Sequence, residues 1–390
     1  MAHAFGTWDG LEGDYNVATN WDDDTVPAAA DVVTISSGTA TISENLTRDA
    51  DTTLDGTGEL VINGRLINAA NGPATLTVSD DATLTQDGHY FLVSNQNTGS
   101  VVQTGGTVNS TVSRGWFLSD GGSSKGSYSL SGGSLNVNTS ASNGVHMGKN
   151  SSEDRFTVSG GTATFTATTG NMRTYVSKGA ILQVDSGSAA FNNFKYFVVG
   201  RDFADGTVSQ IIINGGSFTV GNVEAGGAMA IGNKNNAQVT LNGGVMTVQG
   251  DIWVGDADPN IDPKVNGTFI QNGGTLNVNY IVLSHAAGSE GTYLMTDGVL
   301  NALGIMLGDG GLGLFDFQGG DIFLAGDQTG ILDELWFQEI EGTIATYDLD
   351  SDLTHIAVIP EPSTYALILM GGALGGTLLL RRRRRDSSAA

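Results

Sequence analysis

Ile211-Ile212-Ile213-Asn214-Gly215-Gly216-Ser217-Phe218-Thr219-Val220 and Val239-Thr240-Leu241-Asn242-Gly243-Gly244-Val245-Met246-Thr247-Val248 share one pattern, 28 residues apart. In each, apolar residues take alternate positions on both sides of an Asn-Gly-Gly. Period-two alternation predicts a β-strand with one buried face. The glycines supply the positive-φ corner that turns one strand into the next. The second residue of the mark, or of a near variant, recurs at Gly106, Gly133, Gly161, Gly187, Gly216, Gly244, Gly274, Gly298 and Gly320. The intervals are 27, 28, 26, 29, 28, 30, 24 and 22 residues, with weaker copies at Gly38, Gly58 and near Asp81, about twelve units in all.

Each unit also holds a third short strand ending in Gly or Ser, as at Phe197/Val199, Ile252/Val254 and Ile281/Leu283. No unit buries its inward side chains alone, so stacking is required. The expected fold is all-β: a three-sided parallel β-helix (solenoid), right-handed like the common solenoids, with an autotransporter-like body. At ~4.8 Å per coil, the rod is roughly 55–60 Å long. Gln103 and Gln271 fall on inward positions. They either form amide contacts inside the column or mark a local slip in register.

The surface is acidic. Lys+Arg number 17 against 41 Asp+Glu, a net charge of −24. Removing Asp386 and the terminal arginines Arg381 to Arg385 leaves 12 − 40 = −28 for residues 1–380. Such a body repels nucleic acid and anionic lipid and attracts cations; no nucleic-acid partner is expected. The chain has no cysteine, which excludes thiolate catalysis, Cys-ligated zinc and disulfides.

Both ends depart from the repeat. Residues 1–30 hold Trp8, Tyr15 and Trp21, suited to cover the first coil, and the acidic run Asp22-Asp23-Asp24, read as a solvated turn. Trp8, Asn20-Trp21, Pro27 and Asp31-Val32-Val33-Thr34-Ile35 resemble the opening of many secreted bacterial β-solenoid proteins. Ala2-His3-Ala4 has the A-x-A form of a signal-peptidase site, so the mature chain is expected to begin near Phe5. Residues 31–325 carry the repeats, and 326–359 lose the Gly-Gly mark and read as a C-terminal cap.

Residues 360–386 are different in kind. Pro360-Glu361-Pro362 precedes an uncharged stretch, Ser363 to Leu380, and then Arg381, Arg382, Arg383, Arg384 and Arg385. Eighteen residues at ~1.5 Å rise are long enough to cross a thin bilayer as a helix, with the arginines held on the cytoplasmic side as a topological stop. These three ordered parts resemble the PEP-CTERM sorting signal of Gram-negative bacteria. The resemblance implies an exported protein, with Pro360, Glu361 and Pro362 recognised by an exosortase-type enzyme and the tail removed much as a GPI signal is. It also implies a host that makes exopolysaccharide, with the protein in the cell envelope, on the outer surface or in the extracellular matrix, as a structural or adhesive component.

The rival class is a polysaccharide-cleaving enzyme, lyase or glycoside hydrolase, since pectate lyases and polygalacturonases are parallel β-helices. Their chemistry needs carboxylates clustered on one outer face beside a basic group. Of the five histidines, His3, His89, His146, His285 and His355, His146 takes an outward strand position and His285 a corner, and neither falls beside a repeated acid; no catalytic residue is assigned and the chain is read as not an enzyme. A glycan-binding adhesin is the third reading. The outward position of the third strand runs Phe117, His146, Tyr175, Val198, Ala230, Trp253, Val282 and Met306, a stripe in which Phe117, Tyr175 and Trp253 offer rings for sugar faces. No cofactor is expected. The one metal that the residues would suit is Ca²⁺, at Asp256, Asp258 and Asp262 in the longest corner.

Overall fold

The computed structural model describes residues 5–359, apart from 123, 141–143, 150, 152, 170–171, 202–205, 222–227, 257–264 and 310–311. Short strands follow one another around three faces, in about twelve stacked coils. The first face is a 14-stranded sheet that runs from Phe5–Thr7 to Phe337–Glu339. Its strands precede the Gly-Gly corner; Ser209–Ile213 pairs in parallel with Ile181–Val184 below and Ala237–Leu241 above. The second face follows the corner, as in Ser217–Gly221 paired with Val245–Val248.

The second and third faces are less separate than the sequence suggests. Thr83–Ser94, Thr107–Ser119, Thr275–Leu283 and Val299–Leu307 each run across both faces as one strand. Gly88 (φ 141°) and Gly115 (φ 136°) lie in two of these strands where they bend. Three faces therefore share two hydrogen-bonded sheets, because a bent strand keeps its ladder where a sharp corner would break it.

The Gly-Gly corner is required twice over. The second glycine has positive φ at all nine strong marks, from 61° at Gly106 to 98° at Gly298. A Cβ on Gly216 would also lie 2.3 Å from the carbonyl oxygen of Gly187, in the coil below. Beside this corner the asparagines form a ladder up the rod. Asn214 Nδ2 donates to Asp185 Oδ1 (2.7 Å), Asn242 Nδ2 to Asn214 Oδ1 (2.8 Å), and Asn272 Nδ2 to Asn242 Oδ1 (2.9 Å).

Inward side chains make one apolar column from Trp8 to Ile356. Rings at equal positions stack along it: Phe269, Tyr293, Phe315 and Phe337 have centroids 4.7, 4.7 and 5.0 Å apart and nearly parallel planes. Gln103 and Gln271 lie inside the column, fully buried. Tyr128 Oη donates to Gln103 Oε1 at 2.6 Å, and Gln103 Nε2 donates to the carbonyl oxygens of Ser134 (3.0 Å) and Gly106 (3.3 Å). Gln271 repeats this arrangement with Tyr293, Val299 and Gly274. Each is an amide bridge between coils, and the register is unbroken.

The two ends close differently. Phe5–Thr7 and Glu12–Asp14 already pair with Val32–Ile35 and Thr39–Ile42, so a partial coil begins inside the N-terminal segment. Trp21 meets Trp8 and Tyr15 edge-on at 5.2 and 4.7 Å and closes the column there. Asp22 and Asp23 accept hydrogen bonds from the backbone N–H groups of Thr7 and Thr25, and so act as turn acceptors. At the other end Leu353–Val358 pairs antiparallel with Asp321–Ala325 and with Thr343–Asp348. That reversal ends the parallel stack.

Candidate functional site

Parallel pairing sets the third face in columns. The central column reads Phe117, His146, Tyr175, Val198, Ala230, Trp253, Val282 and Met306, each residue paired with the next. The stripe expected from sequence is therefore a real column, yet most of it is covered. Phe117 is 1% exposed and Tyr175 7%, while Met306 is 40% exposed. Lys149 Nζ lies 4.8 Å over the Phe117 ring, and the Arg201 guanidinium 5.3 Å over that of Tyr175. The aromatic floor thus lies beneath cations from its own corners. Trp253 is half-buried, stacked face to face on His285 at 4.0 Å.

His146 sits between Phe117 and Tyr175, with ring centroids 5.4 and 4.4 Å away. Its Nδ1 is buried with no hydrogen-bond partner. Burial, then the charges of Lys149 and Arg201, pull its pKa down to about 3. The ring is neutral at ordinary pH and suited to packing; among the described residues the charges that act on it are basic, which does not favour a general base. Asp154, in the following corner, accepts hydrogen bonds from Ser119 Oγ (2.5 Å), Gly126 N (2.9 Å) and Gly148 N (2.9 Å). Burial outweighs these bonds and raises its pKa to about 6. It ties three chain segments together.

Asp256, one of the three calcium candidates, is engaged by protein groups. His285 Nδ1 lies 2.8 Å from Asp256 Oδ1, and Asn233 Nδ2 donates to Oδ2 at 3.1 Å. Asp258 and Asp262 lie outside the described residues. Among the described residues no group of three or more His, Asp or Glu is placed to hold a metal ion. A groove of about 790 Å³ runs beside the last coils, lined by Asn277, Asn301, Phe323 and Leu353 among others. Its amides bond to one another up the rod, Asn301 Nδ2 to Asn277 Oδ1 at 2.9 Å, and it holds no acid–base pair.

Pro360, Glu361, Pro362 and Arg381 to Arg385 also lie outside the described residues, as does Ala2-His3-Ala4. What is described is the point from which the tail leaves. Leu353–Val358 is the middle strand of the terminal antiparallel arrangement, and Ile359 N still donates to Gly342 O at 3.0 Å. One residue therefore separates the last strand from Pro360. No helix among the described residues is long and apolar enough to cross a membrane.

The residues that sequence reasoning passed over are the cations beside the third face. Lys149, Lys178 and Arg201 follow its strands in three successive coils, Arg173 begins one of these strands and Lys195 directly precedes the next. Their spacing follows no short motif; the available signal was the uneven distribution of charge along the chain.

Residues 358–385 match the family profile of the PEP-CTERM protein-sorting motif. The chain thus carries that motif on a parallel β-solenoid body. The motif implies export to the cell envelope or surface, with processing by an exosortase-type enzyme. No curated protein and no solved structure matches the chain.

Proposed function

We propose that the mature chain is a structural or adhesive rod of the envelope, outer surface or extracellular matrix of a Gram-negative bacterium, that it associates with exopolysaccharide, and that it catalyses no reaction. The observation that carries this reading is the direct junction of a sorting motif with the end of a solenoid: the motif begins at Val358, the last residue of the last strand. A rod held at its end projects its whole length from the point of attachment. In this reading Ser363 to Leu380 crosses the inner membrane as a helix until processing. Arg381 to Arg385 stay cytoplasmic, and Pro360, Glu361 and Pro362 are recognised by the sorting enzyme.

The test is the C-terminal peptide of the native protein, recovered from its host and read by mass spectrometry. A terminus between Pro360 and Thr364 is expected. A terminus at or beyond Arg385 makes the tail a plain membrane anchor and removes the sorting-enzyme step. Fractionation of the same cells tests matrix association; a rod absent from the polysaccharide fraction counts against it. Polysaccharide cleavage is the rival, and release of reducing or unsaturated ends from acidic glycans by the purified chain would establish it.

A further inference from the structure

Charge along this chain is sharply segregated. Residues 114–205 hold eight Lys+Arg and six Asp+Glu, a net +2. The rest of residues 1–380 holds 12 − 8 = 4 bases and 40 − 6 = 34 acids, a net −30. Several of the acids in the basic sector are already engaged. Asp154 is buried on its three donors, Glu153 pairs with Lys125 at 2.7 Å, Asp120 pairs with Lys149, and Asp185 lies on the first face beside Gln183.

The cations of this sector border one face. Lys149, Lys178 and Arg201 follow the third-face strand in three successive coils and form one ridge. Arg173 and Lys195 form the opposite ridge and flank the half-buried ring of Tyr196, at 5.3 and 5.5 Å from its centroid. That ridge continues towards the N-terminus through Arg114, His89 and Arg65; burial, then the charges of Arg114 and Arg65, lower the pKa of His89. Among the described residues, Asp87 lies near this extension, Asp120 pairs with Lys149 at the opposite ridge, and Asp251 and Asp256 stand in register two coils beyond Tyr196 and Arg201, where the basic sector has ended. Stacked like charges repel one another and do not stabilise a sheet. Their grouping on an otherwise acidic rod is explained by an anion from outside.

We infer that the third face between these ridges binds a linear acidic polysaccharide, lying along the rod axis with its carboxylates on the cation ridges and sugar faces against Tyr196. This rests on the reading of the protein as exopolysaccharide-associated and assigns it a site and a charge class. From Arg173 to Lys178 the chain crosses the face in five residues, ~16 Å at ~3.3 Å per residue. A single glycan chain fits that strip, whereas a second rod or a DNA duplex meets only the rims of its ridges. The coil repeat of ~4.8 Å is close to the length of one linked pyranose unit, so successive acid groups meet successive coils.

The experiment uses the full chain in a non-ionic detergent, with sodium polygalacturonate as the probe and dextran as its neutral counterpart. Polygalacturonate binds at low salt, weakens at high salt and outcompetes both dextran and duplex DNA. Arg173→Glu with Lys195→Glu lowers the affinity about tenfold, at an unchanged melting temperature. Arg155→Glu makes the same kind of charge change at the first face and binds like the wild type. Lys195→Gln, a milder change, lowers affinity about threefold and decides the matter if the double variant does not fold. Equal binding of dextran, tighter binding of DNA, or an equal loss in Arg155→Glu overturns the site. Self-association that the double variant abolishes, without polymer binding, gives the face to a second copy and also overturns it. Host fractionation is a separate measurement, so matrix association stands or falls independently.

Discussion

The corner glycines leave least room for substitution. Gly216 has φ 67°, and a Cβ there meets a backbone oxygen at 2.3 Å. Any L-residue bears the left-handed strain of ~1–2 kcal/mol plus a displacement of the coil below. Gly216→Ala should therefore cost about 2–4 kcal/mol, visible as a lower urea midpoint. Two titrating residues give the rod opposite pH responses. Asp154 has its pKa raised to about 6, so its favourable contribution is complete below the unfolded value of 3.8 and is lost as pH rises through 6. The two-unit rise corresponds to about 3 kcal/mol. His146 has its pKa lowered from 6.5 to about 3, so its contribution is present above pH 6.5 and is lost as pH falls through 3. Between about pH 4 and 6 the two oppose each other. Melting curves across that range should show a steeper acid loss in Asp154→Asn and a shallower one in His146→Phe; unchanged slopes in both would remove this account.

Within the coils, stability comes from contacts repeated between neighbours. The amide bridges at Gln103 and Gln271 illustrate how a polar group is tolerated in an apolar column. Gln271 Oε1 accepts from Tyr293 Oη and its Nε2 donates to two carbonyl oxygens, so the buried group is satisfied. Removing one partner leaves the other desolvated, at about 1–3 kcal/mol. Tyr293→Phe should lose about that much, and Gln271→Leu with Tyr293→Phe should lose less than the sum of the single changes. An additive double variant would mean the bridge carries no coupling. Phe315, between Tyr293 and Phe337 in the ring stack, should cost about 3–5 kcal/mol when changed to Ala, as read by thermal melting.

For the whole rod, the two ends decide solubility. Stacked coils end in unpaired strand edges that template further pairing. The C-terminal end is closed by the antiparallel reversal at Leu353–Val358, with Thr343–Asp348 as the outer strand. Deleting residues 340–359 together with the tail should expose Asp321–Ala325 and produce end-to-end association in sedimentation velocity; a monodisperse product would show that another feature protects that end. The rod proposed above takes no metal, and on that reading chelation with EDTA should leave the melting temperature unchanged. A fall of several degrees would favour the calcium reading at Asp256, Asp258 and Asp262.

The spacing of the Gly-Gly marks and the two-residue alternation settled the solenoid, the corner conformation and the membership of the third-face column, because these are local periodicities that each coil repeats. The sorting signal was likewise legible, since such an address is read as linear chain. Other features depended on neighbouring coils. Merging of the second and third faces at Thr107–Ser119 depends on whether a ladder survives a bend. Burial of Phe117 and Tyr175 depends on Lys149 and Arg201, which reach over them from corners distant in sequence. The partners of Gln103 and Gln271 come from adjacent coils, and so does the second ridge of cations. Sequence alone determined which residues point in and out of each coil; the tertiary structure decided what lies above them, because stacking brings together residues about twenty to thirty positions apart.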